Sequence, residues 1–115
     1  MECRIEFYAK PSGASPVREY IGALDQDSGR ALLQELELLA EYGPQMRDTR
    51  QVRGKIWELR KAHRGMQHRI LYFVDKQRIV VLLIAFTKKT PKTPLRYIEL
   101  AETYRNDHLC RTERT

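Results

Sequence analysis

Residues 79–86 read IVVLLIAF, apolar at every position. Successive side chains of a strand point to opposite faces, so a strand of this sequence is apolar on both and belongs at the centre of a sheet. It is far shorter than the roughly 20 residues that a membrane-spanning helix needs, so no transmembrane helix is expected. Two further runs of strand length precede it, residues 56–60 (IWELR) and 67–74 (QHRILYFV). Turn-like links separate the three, with Arg64-Gly65 in the first and residues 75–78 in the second. Links this short make the neighbouring strands antiparallel.

The flanks supply the rest of a fold. Residues 2–8 alternate, with Cys3, Ile5 and Phe7 on one face and Glu2, Arg4 and Glu6 on the other, which predicts a half-buried strand. Ser15-Pro16 then opens a helix, the serine as a cap for an orphan amide and the proline at the first helical position. Val17, Tyr20, Ile21 and Leu24 follow at helical spacing. A second helix over about 28–41 carries Leu32, Leu36 and Leu39 as its buried stripe, and Gly43-Pro44 stops it. The two form a helical hairpin suited to cover one face of the sheet. Residues 45–54 read as a polar, basic loop. Thr93-Pro94 starts a last helix, and the chain from Asn106 onward is expected to fray. At 115 residues the chain is one domain, 1–115, with about 106–115 as tail. The order β-α-α-β-β-β-α is an α+β domain with a mostly antiparallel, twisted sheet.

Charge is sorted along the chain. Residues 1–46 hold four basic and eight acidic side chains, and residues 93–115 hold four of each. Residues 47–92 hold thirteen Lys and Arg against Asp48, Glu58 and Asp75, a net of +10. Such segregation favours an anionic partner through steering and counterion release, and RNA is the first candidate. Strand alternation places Glu58 with Arg60 on one face, and Arg69 with Leu71 and Phe73. Lys88 and Lys89 leave the last strand, and Lys92 follows. If the hairpin covers one face, the other can gather Arg60, Arg69, Lys88 and Lys89 in one cleft. Lys55, Lys61, Arg64 and Lys92 are the further candidate contacts to RNA.

Residue chemistry divides the roles. Cleavage of RNA by its own 2′-hydroxyl needs a proton acceptor, stabilisation of the phosphorane and a proton donor to the 5′-oxygen. Arginine grips two phosphate oxygens with its planar fork but stays protonated, so it is a poor base. Glu58 is either a base or a carboxylate that pairs with Arg60 or Lys61 and holds it. His63 and His68 read as solvated side chains, and His108 receives no role. Trp57, Tyr72 and Phe73 could stack on bases but are read as core. No acidic cluster accompanies these residues, so neither a metal nor another cofactor is expected. Cys3 and Cys110 read as reduced thiols, with a disulfide between the termini as the alternative. The first ten residues, MECRIEFYAK, lack the apolar core of a signal peptide, so a cytoplasmic protein is expected.

Several of these segments carry a resemblance. They are Trp57-Glu58-Leu59-Arg60, His68-Arg69-Ile70-Leu71-Tyr72, the FTKKTP of residues 86–91, and Thr93-Pro94 before Ile98 and Ala101. In this order the chain resembles the RelE/ParE toxin superfamily over nearly its whole length, and most closely the phage-derived HigB-like branch. The resemblance implies a small RelE-like domain that is the toxin of a type II toxin-antitoxin system. Many such toxins are metal-independent endoribonucleases that cleave mRNA on the ribosome and so inhibit translation. It further implies that Arg69 is the strand arginine of the site, and that Arg60 lies near a basic residue of the preceding strand. Lys88 or Lys89 matches a basic residue after the last strand, and Tyr97 lies near, but offset from, a tyrosine catalytic in some members. The expected partners are mRNA, the ribosome and an antitoxin with a helix-turn-helix DNA-binding domain, with no membrane. A ParE-like inhibitor of DNA gyrase and a non-toxic phage-derived accessory protein are the alternatives.

Overall fold

In the computed structural model, which describes residues 2–88 and 92–112, the apolar run forms the inside of a five-stranded sheet. The elements are β1 (Arg4–Phe7), α1 (Pro16–Ala23), α2 (Gln26–Tyr42), β2 (Thr49–Arg53), β3 (Ile56–His63), β4 (Met66–Val74), β5 (Ile79–Thr87) and α3 (Leu95–Thr112). The strand order is β1-β5-β4-β3-β2. Strands β2 to β5 are antiparallel neighbours, whereas β1 runs parallel to β5 with Arg4 opposite Ile79. The expected α+β architecture is present, with β4 as the middle strand and β5 beside it. Arg64 and Gly65 link β3 to β4 with φ of 51° and 78°. A two-residue turn with both φ positive matches the right-handed twist of the strands it joins, and glycine adopts that conformation without steric cost.

Both sheet faces are covered, which is why β5 is apolar throughout. On one face Val80 and Leu82 pack with Leu59, Ile70 and Tyr72 against Val17, Leu32, Leu36 and Leu39 of the helical hairpin. On the other face Val81, Leu83 and Phe86 pack with Ile56, Leu71 and Phe73 against Ala101 of α3. Asp25 starts α2 earlier than the leucine stripe indicates, because its carboxylate accepts the Ser28 amide at 3.1 Å.

Four local expectations change. Residues 49–53 are a strand rather than loop. An edge strand exposes most of its side chains, so TRQVR carries no apolar alternation, and Val52 alone packs on the core. Helix α3 runs through Thr112, past the point where fraying was expected. Tyr8 donates to Asp107 at 2.6 Å and stacks on Tyr104, while His108 lies edge-on to Phe73, so these residues dock on the end of β1. Burial, and then the Asp107 carboxylate, push the Tyr8 phenol up to about 12. Ser15 does not cap α1; its hydroxyl donates instead to the Tyr8 carbonyl at 2.9 Å. His68 is buried rather than solvated, with Nδ1 at 2.7 Å from the Tyr20 hydroxyl, which also reaches Thr87. This chain ties α1 to the ends of β4 and β5.

Two outcomes follow. Tyr8→Phe keeps the ring stack and loses the bond to Asp107, so unfolding in urea should show a loss of about 1 kcal/mol. Burial holds the His68 pKa below its ordinary value of about 6.5. The unfolded chain therefore binds this proton more readily than the folded one. The contribution is favourable above about pH 6.5 and is lost as pH falls below it. Melting temperature should drop between pH 7.5 and 5.5, and His68→Gln should flatten that part of the slope.

Candidate functional site

The site is built on β3. Strand alternation turns Ile56, Glu58 and Arg60 toward the α3 face, and Trp57, Leu59 and Lys61 toward the hairpin. Arg60 lies opposite Arg69 of β4, which lies opposite Phe86 of β5. One step along, Arg50 of β2 lies opposite Glu58. Two rows of the sheet thus bring three arginines around one carboxylate. Glu58 has no solvent exposure. It accepts from Arg60 Nε at 2.9 Å and from the Thr93 hydroxyl at 2.5 Å. Arg50 Nε stands 3.4 Å from it and Arg69 Nη1 3.7 Å. Arg50 Nη2 also reaches the Thr93 hydroxyl at 3.4 Å.

The three guanidiniums differ in access. The Arg69 side chain is 2% exposed, that of Arg60 33% and that of Arg50 49%, so an incoming anion meets Arg50 and Arg60 first. Desolvation lowers the Arg69 pKa, Glu58 raises it, and Arg60 and Arg50 lower it again. It remains a cation at neutral pH, since a guanidinium starts far above that range. The arrangement can bind and polarise a phosphodiester through charge-assisted hydrogen bonds.

The other expected site residues divide by position. Tyr97 stacks on Phe86 with ring centroids 4.1 Å apart and planes at 8°, and the Arg96 guanidinium lies 4.8 Å from its ring centre. Lys88 donates its backbone N–H to Gln67 at 2.9 Å, which extends the β4–β5 ladder and places it on the Arg69 face by alternation. Lys92 is exposed one residue before Thr93. Lys89 lies outside the described residues. Three candidates stand apart from the cluster. Lys55 is exposed in the β2–β3 turn. Lys61 faces the hairpin and sits 3.7 Å from Glu35, a buried carboxyl whose pKa burial raises. Arg64 pairs with Asp27 at 2.9 Å, as His63 does at 3.1 Å. Tyr72 and Phe73 are core, while Trp57 packs at the edge of the hairpin-side core.

Arg50 and Thr93 are the members of the cluster that sequence reasoning misses. Arg50 becomes visible only when residues 49–53 are recognised as a strand paired to β3, because that pairing sets it opposite Glu58. Thr93 carries a helix-start signal, and nothing local indicates that its hydroxyl turns to a glutamate on β3. Among the described residues, no group of three or more His, Cys, Asp and Glu side chains could hold a metal ion. Nor is any described helix long and apolar enough to cross a membrane.

No curated protein shows significant similarity to the chain. Residues 19–106 match a family described as phage derived protein Gp49-like, a span that begins within α1 and reaches into α3 and so includes the whole arginine cluster. The chain therefore belongs to the phage-derived Gp49-like family, a RelE-like toxin family within the RelE/HigB-type toxin superfamily.

Proposed function

We propose that this protein is the toxin of a type II toxin-antitoxin system and acts as a metal-independent mRNA endoribonuclease on translating ribosomes, close to the HigB-like branch of its superfamily. The observation that carries this reading is the convergence of Arg50, Arg60 and Arg69 on Glu58, with two of the three guanidiniums partly open to solvent. The scissile phosphate sits against Arg60 and Arg50, and buried Arg69 supplies positive charge from beneath. As the 2′-hydroxyl attacks and passes its proton to solvent water, negative charge on the phosphorane grows and these donors strengthen their hold, which is how preorganised cations lower a barrier. Lys88, on the same face, serves the developing charge or the leaving 5′-oxygen. Glu58 orients the arginines, since its own lone pairs are engaged by Arg60 and Thr93. Toxins of this superfamily work with an antitoxin. Here that partner, carrying a helix-turn-helix domain, lays an acidic segment over the +10 stretch of residues 47–92 in the cytoplasm.

A second reading has one observation in its favour. His63 is paired with Asp27 and His68 faces the hairpin, so neither reaches the cluster as a proton acceptor. Inhibition of DNA gyrase by binding alone needs no such group.

The two readings separate in paired assays. Mapping mRNA 5′ ends after induction should reveal new cuts with the wild type, and cleavage of purified RNA should persist in EDTA. Arg60→Ala should lower that cleavage by about 10²–10³-fold. Unaltered mRNA ends together with inhibited supercoiling by gyrase would establish the second reading instead. Arg69→Ala is a less direct probe, because it removes a buried partner of Glu58 and destabilises the fold as well. Glu58→Gln leaves three crowded guanidiniums around a neutral amide and should cost about 3–5 kcal/mol in urea unfolding.

A further inference from the structure

Helix α2 turns one carboxyl toward the sheet. Glu35 is 5% exposed, so its charge has to be met from close by. Lys61 of β3 stands 3.7 Å from its Oε1. Its Oε2 is buried as well, and among the described residues no N–H or hydroxyl donates to it. The side chain within hydrogen-bonding reach of this carboxyl is a second carboxyl, that of Asp48. Two carboxylates repel, so a hydrogen bond between them requires that one carry a proton and donate it. With one proton, the charges of Glu35, Asp48 and Lys61 cancel; without it, an uncompensated negative charge is left beside the core. A hollow lined by Asp48, Arg60, Lys61, Ala62 and Gln67 opens Asp48 and Lys61 to solvent, so the proton can exchange with bulk water.

We propose that Glu35 and Asp48 share one proton and form an acid-closed latch, which holds the start of β2, and with it Arg50, against β3. Asp48 is where β2 begins to attach. Its carbonyl accepts the Arg60 amide at 2.8 Å, and the register then sets Thr49 opposite Leu59 and Arg50 opposite Glu58. In the sheet β2 is an edge strand with β3 as its one neighbour, so fixing its first residue fixes where the Arg50 guanidinium stands over Glu58. Burial pushes the Glu35 pKa up, Lys61 lowers it and Asp48 raises it, which leaves it above its ordinary value of 4.5. The folded chain therefore holds this proton more tightly than the unfolded one. The latch is fully closed below about pH 4.5 and loosens as pH rises through the folded value. That slope is opposite in sign to the one from His68. The other titratable groups facing the hairpin have their own partners: His63 pairs with Asp27, His68 with Tyr20 and Tyr72 with Thr49. Arg18 of α1 lies over Phe7, Cys3 beside β1 is a free thiol, and Arg47 is exposed next to Asp48.

Carbon-detected NMR of the full-length protein, titrated between about pH 4 and 8, reads the proton at its two carboxyl carbons. Glu35 Cδ should titrate above pH 4.5, and Asp48 Cγ should inflect at the same midpoint, as coupled groups do. Across that midpoint the protection of the Arg60 amide against hydrogen exchange should fall by about 2–10-fold, the worth of one net hydrogen bond. Amide shifts of residues 49–53 should move with it. Glu35→Gln gives Asp48 a permanent N–H donor of the same size, so Arg60 protection should stay at its low-pH level throughout. Asp48→Asn supplies the donor from the other side and should do the same. Its bond to Arg60 runs through the backbone carbonyl, so that contact is kept. A Glu35 midpoint at or below 4.5, an Asp48 carbon with no shared inflection, or an Arg60 protection that still falls with pH in Glu35→Gln overturns the latch. RNA enters none of these measurements, so the latch stands or falls whichever way the cleavage and gyrase assays read.

Discussion

Glu58 is the constraint on which the rest of this structure depends. A carboxylate removed from water loses several kcal/mol of hydration, and only close donors and cations restore it. Arg60 and Thr93 supply the hydrogen bonds, while Arg50 and Arg69 supply charge. The dependence is mutual, because three guanidiniums this near one another repel without an anion among them. These contacts join β2, β3, β4 and the approach to α3, so one side chain fixes an edge strand, two interior strands and a helix start. The proposed site, built on crowded arginines, and a fold that needs its last helix anchored share a single residue.

The two layers of helix are unequal, and the inequality opens the site. The hairpin of α1 and α2 covers the sheet with three buried leucines on α2 alone. Helix α3 covers the other face from Tyr97 onward and docks its far end on β1 through Tyr8 and Asp107. It therefore leaves the Arg60 end of β3 bare, where Arg50, Arg60 and Gln67 reach solvent.

Much of this was legible in the chain. Alternation in IWELR and HRILYF gave the faces of Glu58, Arg60 and Arg69, and the all-apolar run of residues 79–86 required cover on both sides. The unread parts share a physical cause. Polar contacts between distant residues have no periodicity, so Thr93 reaching Glu58, or Tyr20 reaching His68, leaves no pattern in sequence. An edge strand such as β2 has no buried face to enforce alternation, and its arginine passed for loop. Polar residues that dock by specific bonds, such as Asp107 and His108, look the same as a frayed tail.

The parallel pairing of β1 with β5 has a consequence for synthesis. Arg4 finds its partner only when Ile79 has been made, and the hairpin between them is complete long before the sheet face it covers exists. Closing such a distant pair is slow compared with local turns and helices. On a ribosome, the leucine stripe of α2 and the first strand wait together, apolar and uncovered. The arginines of the cluster, on β2, β3 and β4, are likewise scattered until β5 arrives to order the sheet. A partly made chain therefore has neither a finished core nor a gathered arginine cluster, and both wait for the last third of the sequence.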